Sequence, residues 1–142
     1  MHLAPAHNIN THFLHGLIMS SIDISVDNTL ELSTYVVKGK ISFEEIFDAL
    51  LEFYSHPTKY LIWDIREADI SNASNDDLRK LVKTTKEVAR VRPSGKTAIL
   101  GQTDLQFGLA RMYATYGELE DHPVQISVFR SLEPAMEWIT ST

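Results

Sequence analysis

The sequence predicts one α/β domain: a five-stranded, mostly parallel sheet whose first strand is antiparallel. Three observations predict it. Strand-like and helix-like segments alternate in the order β-β-α-β-α-β-α-β-α, the pattern of parallel strands joined by right-handed crossovers. "LIW" (61–63) and "AIL" (98–100) are continuously apolar, as strands covered on both faces are. "IDISV" and "VQISVF" alternate apolar with polar residues, the period of half-buried strands. Together these place the strands in sequential order 1-2-3-4-5, with "YLIWDI" central.

The elements follow in turn. "IDISV" (22–26) opens a hairpin, Asp27-Asn28 turns it, and "LELSTYVVKGK" (30–40) is its second strand. "SFEEIFDALLEFY" (42–54) is a helix: Ser42 and Glu45 form a capping box, Phe43, Phe47, Leu50 and Tyr54 share a face, and Pro57 ends it. "YLIWDI" (60–65) is a strand and "ADISNASNDD" (68–77) a polar loop. "DLRKLVKTTKEVAR" (77–90) is a second amphipathic helix, and "KTAILG" (96–101) a strand. "DLQFGLARMYATYG" (104–117) is a third helix, capped by Asp104, with Leu105, Leu109, Met112 and Tyr116 towards the core. "VQISVF" (124–129) is the last strand, and Ser131 caps the last helix, "LEPAMEWIT" (132–140). Residues 1–21 carry no charged side chain and four of the six histidines. They read as a loosely attached N-terminal extension to a domain over 22–142, the alternative being a strand or short helix docked through Phe13, Leu14, Leu17 and Ile18.

Composition narrows the function classes. The chain of 142 residues is 44 % hydrophobic and 23 % charged, ordinary for a soluble domain. It has no cysteine, which excludes disulfides and thiolate chemistry. The formal net charge of -6 argues against nucleic acid as a partner. No apolar run is long enough for a transmembrane segment, and the N-terminus lacks the positive region of a secretory signal. A cytoplasmic location is expected, and the oligomeric state is left open.

Gly95-Lys96-Thr97 matches the tail of the phosphate-binding loop G-x-x-x-x-G-K-[ST]. The first glycine would fall on Arg90, and the triplet opens a strand instead of a helix. The match therefore fails in spacing and placement. Gly95 is expected to make a turn, and Lys96 to start an edge-accessible strand end. His2, His7, His12 and His15 have no acidic ligand nearby, so no metal and no cofactor is expected. His56 and His122 each precede a proline and read as loop residues.

Open parallel sheets bind ligands beyond the carboxyl ends of their strands. Asp64, Arg66, Thr103 and Arg130 fall there, and Phe107 and Arg111 lie on a second face of the third helix; these six are the candidate ligand or anion site. A second candidate is a docking surface. Seven of the 13 Lys and Arg residues lie between Arg79 and Lys96. Arg79, Lys83, Lys86 and Arg90, spaced four, three and four apart, align in one stripe. Such a stripe suits an acidic protein partner or an anionic surface.

The opening hairpin, "YLIWDI", "GKTAILGQTDLQFGLARMY" and the closing "VFRSLEPAMEWI" resemble the STAS domain, the fold of bacterial anti-sigma-factor antagonists, and within it the SpoIIAA-like group related to lipid-binding CRAL-TRIO domains. The resemblance spans about residues 22–140. It implies a regulatory module. The family's Asp-Ser-Ser-Gly signature, whose first serine accepts a phosphate, falls near Asn72-Ala73-Ser74-Asn75. Ala73 takes the acceptor position and the glycine is missing, leaving Ser71 and Ser74 as alternative acceptors at a helix N-terminus.

The sequence reading is thus a non-catalytic regulatory or protein-interaction module. The alternative is a binder of a small apolar or amphipathic, lipid-like ligand, beside the helix 104–116. An unfilled apolar cavity beside that helix separates the two.

Overall fold

A computed structural model describes residues 9–15 and 18–141. It contains β1 (Ile9–His15), β2 (Ile18–Asp27), β3 (Leu32–Lys40), α1 (Phe43–Phe53), β4 (Tyr60–Asp69), α2 (Asn75–Val88), β5 (Lys96–Leu100), α3 (Asp104–Leu119), β6 (Gln125–Phe129) and α4 (Leu132–Thr140). A single 3-10 turn, Ala89–Val91, extends α2. The strands form one sheet in the order β1-β2-β3-β4-β5-β6. β2 pairs antiparallel with β3, and β3 to β6 run parallel. The five expected strands therefore stand in the expected order, with "YLIWDI" inside the sheet.

β1 is the addition. Ile9–His15 pairs antiparallel with Ile18–Ile24, so the sheet has a sixth strand where an extension was expected, and β2 starts at Ile18 instead of Ile22. Met1 to Asn8 lie outside the described residues. Starting the chain at Met19 turns β2 into an edge strand, while its buried Ile22 keeps its place in the core. The expected loss, measured by thermal unfolding, is below about 2 kcal/mol, the scale of one buried large apolar side chain. A larger loss would make the segment part of the core.

The pleat sends alternate residues to opposite faces. On one face Tyr35, Val37, Leu61, Trp63 and Ile99 form a core with Leu50 and Phe53 of α1, Leu81 of α2 and Ala110 of α3. On the other, Leu32, Ile62, Ala98 and Leu100 meet Ala135 and Ile139 of α4. Three helices thus cover one face and one helix covers the other.

Local chemistry sets the helix starts. Ser42 and Glu45 form the expected capping box, and Glu45 also accepts from Ser20 Oγ at 2.8 Å, tying α1 to β2. α2 starts on a second box, Ser74 with Asp77. α3 starts on a third, and here the expectation is corrected. Thr103, not Asp104, is the cap, paired with Gln106. Gln106 also donates from Nε2 to the Ala68 carbonyl at 2.9 Å. That turns Gln106 inward and its neighbour Leu105 outward, so Leu105 is 53 % exposed instead of in the core. Ser131 occupies the cap position of α4 but its side chain makes no capping hydrogen bond.

The Gly95-Lys96-Thr97 triplet opens β5, as the failed phosphate-loop match implied. Ser94 supplies the left-handed turn residue, at φ 59°. Gly95 is needed for a different reason: a Cβ there would meet the carbonyl oxygens of Arg92 and Lys59, each at 2.8 Å. Lys96 is not at a sheet edge, since β5 lies between β4 and β6. Its Nζ donates to the carbonyls of Trp138 at 2.7 Å and Ser141 at 3.0 Å, satisfying the C-terminus of α4.

Candidate functional site

The connection from α2 to β5 carries Arg92 into the interior, where it is 2 % exposed. All five N–H groups are used. Nε donates to Thr58 O at 2.9 Å, and Nη2 to Lys59 O at 2.9 Å and Lys96 O at 3.0 Å. Nη1 donates to Tyr54 Oη at 3.1 Å and Thr97 Oγ1 at 3.0 Å. The guanidinium also lies 5.1 Å from the Phe53 ring centroid. Every acceptor is neutral, and no carboxylate among the described residues pairs with this buried cation.

Beside it stands a second polar group. His122 Nδ1 accepts from the Val124 amide at 3.2 Å. Nε2 therefore carries the proton and donates to Thr85 Oγ1 at 3.2 Å, and Thr85 donates on to Leu81 O at 2.8 Å. Tyr113 Oη lies 3.5 Å from the same hydroxyl. Burial lowers the His122 pKa from its ordinary value to about 4, so the imidazole is neutral. Burial pushes the Tyr113 phenol up to about 12, so it keeps its proton. In this tautomer His122 donates to Thr85 and cannot act as its base.

Tyr54, Thr97, Tyr113 and His122 form the polar end of a cavity of about 90 Å³ between the sheet and α1–α3. Its middle is apolar: Leu50, Trp63, Leu81, Ile99, Leu109 and Ala110. Ile70 and Ala73 of the β4–α2 connection and Leu78 of α2 line it towards the carboxyl ends of the strands. The polar end therefore lies at the amino end of β5, opposite to where the sequence reading placed a site.

The six residues expected at that site separate into groups. Asp64 and Arg66 pair with each other on the α4 face of the sheet: Arg66 Nε and Nη2 each donate at 2.9 Å to Asp64. That hydrogen-bonded pairing raises the Arg66 pKa above its ordinary value. Thr103 is the α3 cap. Phe107, Arg111 and Arg130 do come together: Arg130 lies 4.3 Å and Arg111 6.0 Å from the Phe107 ring centroid, and Arg130 donates to Gln102 O at 3.0 Å. No hydrogen bond or ion pair joins that trio to Asp64 and Arg66 among the described residues. None of the six lines the cavity; α3 faces it with Leu109, Ala110 and Tyr113 instead of Phe107 and Arg111.

The α2 stripe is reduced as well. Lys86 pairs with Glu120 at 3.8 Å and Arg90 with Glu87 at 3.5 Å. Arg79 lies 5.0 Å from the Tyr116 ring centroid. Lys83 is exposed, beside Leu119 and Tyr116. Arg92 and Lys96, part of the basic run in the sequence, belong to the interior and to α4.

Both alternative phosphate acceptors already have structural partners. Ser71 Oγ donates to Asp69 at 2.6 Å, and this bond with the Ser71 amide holds the Asp69 carboxyl below its usual range. Ser74 Oγ accepts from the Asp77 amide at 3.1 Å as the α2 cap. A phosphate on either would stand beside a carboxylate.

Arg92, Tyr54, Thr97, Thr85 and His122 were absent from the sequence-level candidates. One signal was present: an arginine beside a proline between a helix and an apolar strand. Fold and site together define a single-domain α/β protein whose sheet and helical layer hold an apolar cavity with a polar end. Compared with known proteins, the chain matches no family model, no curated protein and no solved structure.

Proposed function

We propose that this chain is a non-catalytic module that binds a small apolar or amphipathic ligand between its sheet and α1–α3. The cavity of about 90 Å³ beside α3 carries this reading. A close-packed interior has few voids larger than a water molecule, and an apolar void of this kind accepts apolar guests. An apolar cavity of roughly 150 Å³ holds benzene, so this one takes about four non-hydrogen atoms.

Ala110 lines the cavity from α3, so Ala110→Leu fills it. Under xenon pressure, the wild-type chain is expected to show NMR shift changes at the Leu109 and Ile99 methyls, and Ala110→Leu none. Native mass spectrometry of the chain from its own host is expected to show a retained small molecule that Ala110→Leu lacks. No xenon uptake by the wild type would overturn the reading.

A regulatory module of the STAS, SpoIIAA-like kind is the second reading, favoured by the exposed cations Arg79 and Lys83 on α2. It predicts that Lys83, Lys86 and Arg90, reversed together to Glu, change stability by less than about 1 kcal/mol, because exposed pairs contribute little. Pull-down of a native partner at low salt would be lost. Unchanged pull-down rules this surface out.

A further inference from the structure

We infer that the cavity's ligand is a small monocarboxylate, its head held by the hydroxyls of Tyr54 and Thr97 and its charge balanced by buried Arg92. This rests on the cavity being a ligand site. Two independent features of the polar end point to it.

The first is charge. Buried cations are ordinarily paired, because an uncompensated charge in the interior is costly. Arg92 has neutral acceptors on all five N–H groups and no carboxylate, so its positive charge is solvated by the fold but not neutralised. No acidic side chain lines the cavity among the described residues. His122 is neutral there, by the tautomer its hydrogen bonds impose. The potential in the cavity is therefore set by Arg92 and is positive. It favours an anion over a neutral head, and excludes an ammonium.

The second is the direction of the hydroxyl protons. Tyr54 Oη and Thr97 Oγ1 each accept from Arg92 Nη1. Neither hydroxyl has an acceptor for its own proton among the described residues. Both residues line the cavity. Accepting from a guanidinium polarises an O–H group and makes it a better donor. The Tyr113 hydroxyl does not join them: Thr85 gives its proton to Leu81 O, so the Tyr113 proton is turned to Thr85. Two donors thus meet at Arg92 Nη1, at one end of an otherwise apolar space, the arrangement a carboxylate head with a short hydrocarbon tail requires. The guanidinium itself has no free N–H, so it acts through the hydroxyls and not as a direct ligand. The volume limits the whole guest to about four non-hydrogen atoms, the size of acetate.

Acetate, ethanol and ethylamine share a methyl end and differ in the head. In calorimetric titrations at pH 7, acetate is expected to bind at least about tenfold more tightly than ethanol, the minimum a charge-assisted hydrogen bond supplies. Ethylamine is expected not to bind. Tyr54→Phe and Thr97→Val keep the shape and each remove one donor to the head, together with one acceptor of Arg92 Nη1. Each is expected to weaken acetate about tenfold while leaving xenon uptake unchanged, which also reports that the variant is folded. Acetate binding no tighter than ethanol, or binding unaffected by both substitutions, overturns the carboxylate and leaves the apolar site standing if xenon still enters. Failure of xenon and acetate together overturns both.

Discussion

Arg92→Ala is expected to destabilise the fold by about 4 kcal/mol, within the range for breaking a buried, fully hydrogen-bonded charged group. Five acceptors from three parts of the chain lose their donor at once: the carbonyls of Thr58, Lys59 and Lys96 and the hydroxyls of Tyr54 and Thr97. A buried polar group left unpaired costs about 1–3 kcal/mol, but water entering the vacated space recovers part of the sum. The ring contacts to Phe53 and Tyr54 are lost too. For a domain of this size the midpoint of thermal unfolding should fall by roughly 10 °C. Arg92→Lys should restore only part of the loss, because an ammonium has three donors and no planar fork. Urea unfolding measures this, and a loss for Arg92→Ala below about 1 kcal/mol would show that the guanidinium does not tie these segments together.

Stability should fall as the pH drops from about 6.5 to 4, with His122 responsible for about 2 kcal/mol of the loss. In the unfolded chain His122 takes up a proton near its ordinary value of 6.5; in the folded chain burial holds it neutral until about 4. Between those values the unfolded state binds a proton that the native state does not, so acid favours unfolding. Above 6.5 both states are neutral at this residue and the contribution is constant. Below 4 both are charged and the loss is complete. A shift of this size corresponds at most to about 3 kcal/mol. The ring keeps part of its surface in water, and screening brings the figure down. His122→Gln removes the titration, so the test is the difference between wild type and variant in urea unfolding at pH 7 and pH 4.5. Equal pH dependence in the two would mean that His122 is not held neutral.

The reach of the sequence is set by the range of the interactions. The capping box of α1 was legible because Ser42 and Glu45 are three residues apart and satisfy each other. The strand order was legible from patterning, because burial on two faces leaves no polar positions in "LIW" and "AIL". α3 was harder: with apolar residues around most of its circumference, several faces fit, and a contact from Gln106 to β4, 38 residues away, selected one. Arg90 and Arg92 read alike in the sequence, as members of one basic run. One ends exposed beside Glu87; the other turns inward to Tyr54 and Thr58, 38 and 34 residues away.

By itself the sequence determined the α/β class, the helix starts on α1 and the central place of β4, since each follows from neighbours within a few residues or from the apolar period. Only the tertiary structure decided that β1 adds a sixth strand, that the charge of Arg92 is interior, and that a cavity remains beside α3. Those depend on distant segments meeting: backbone pairing needs a partner strand in register, a buried cation needs acceptors gathered from several elements, and a void is the space that side chains from α1, α2, α3 and the sheet together fail to fill.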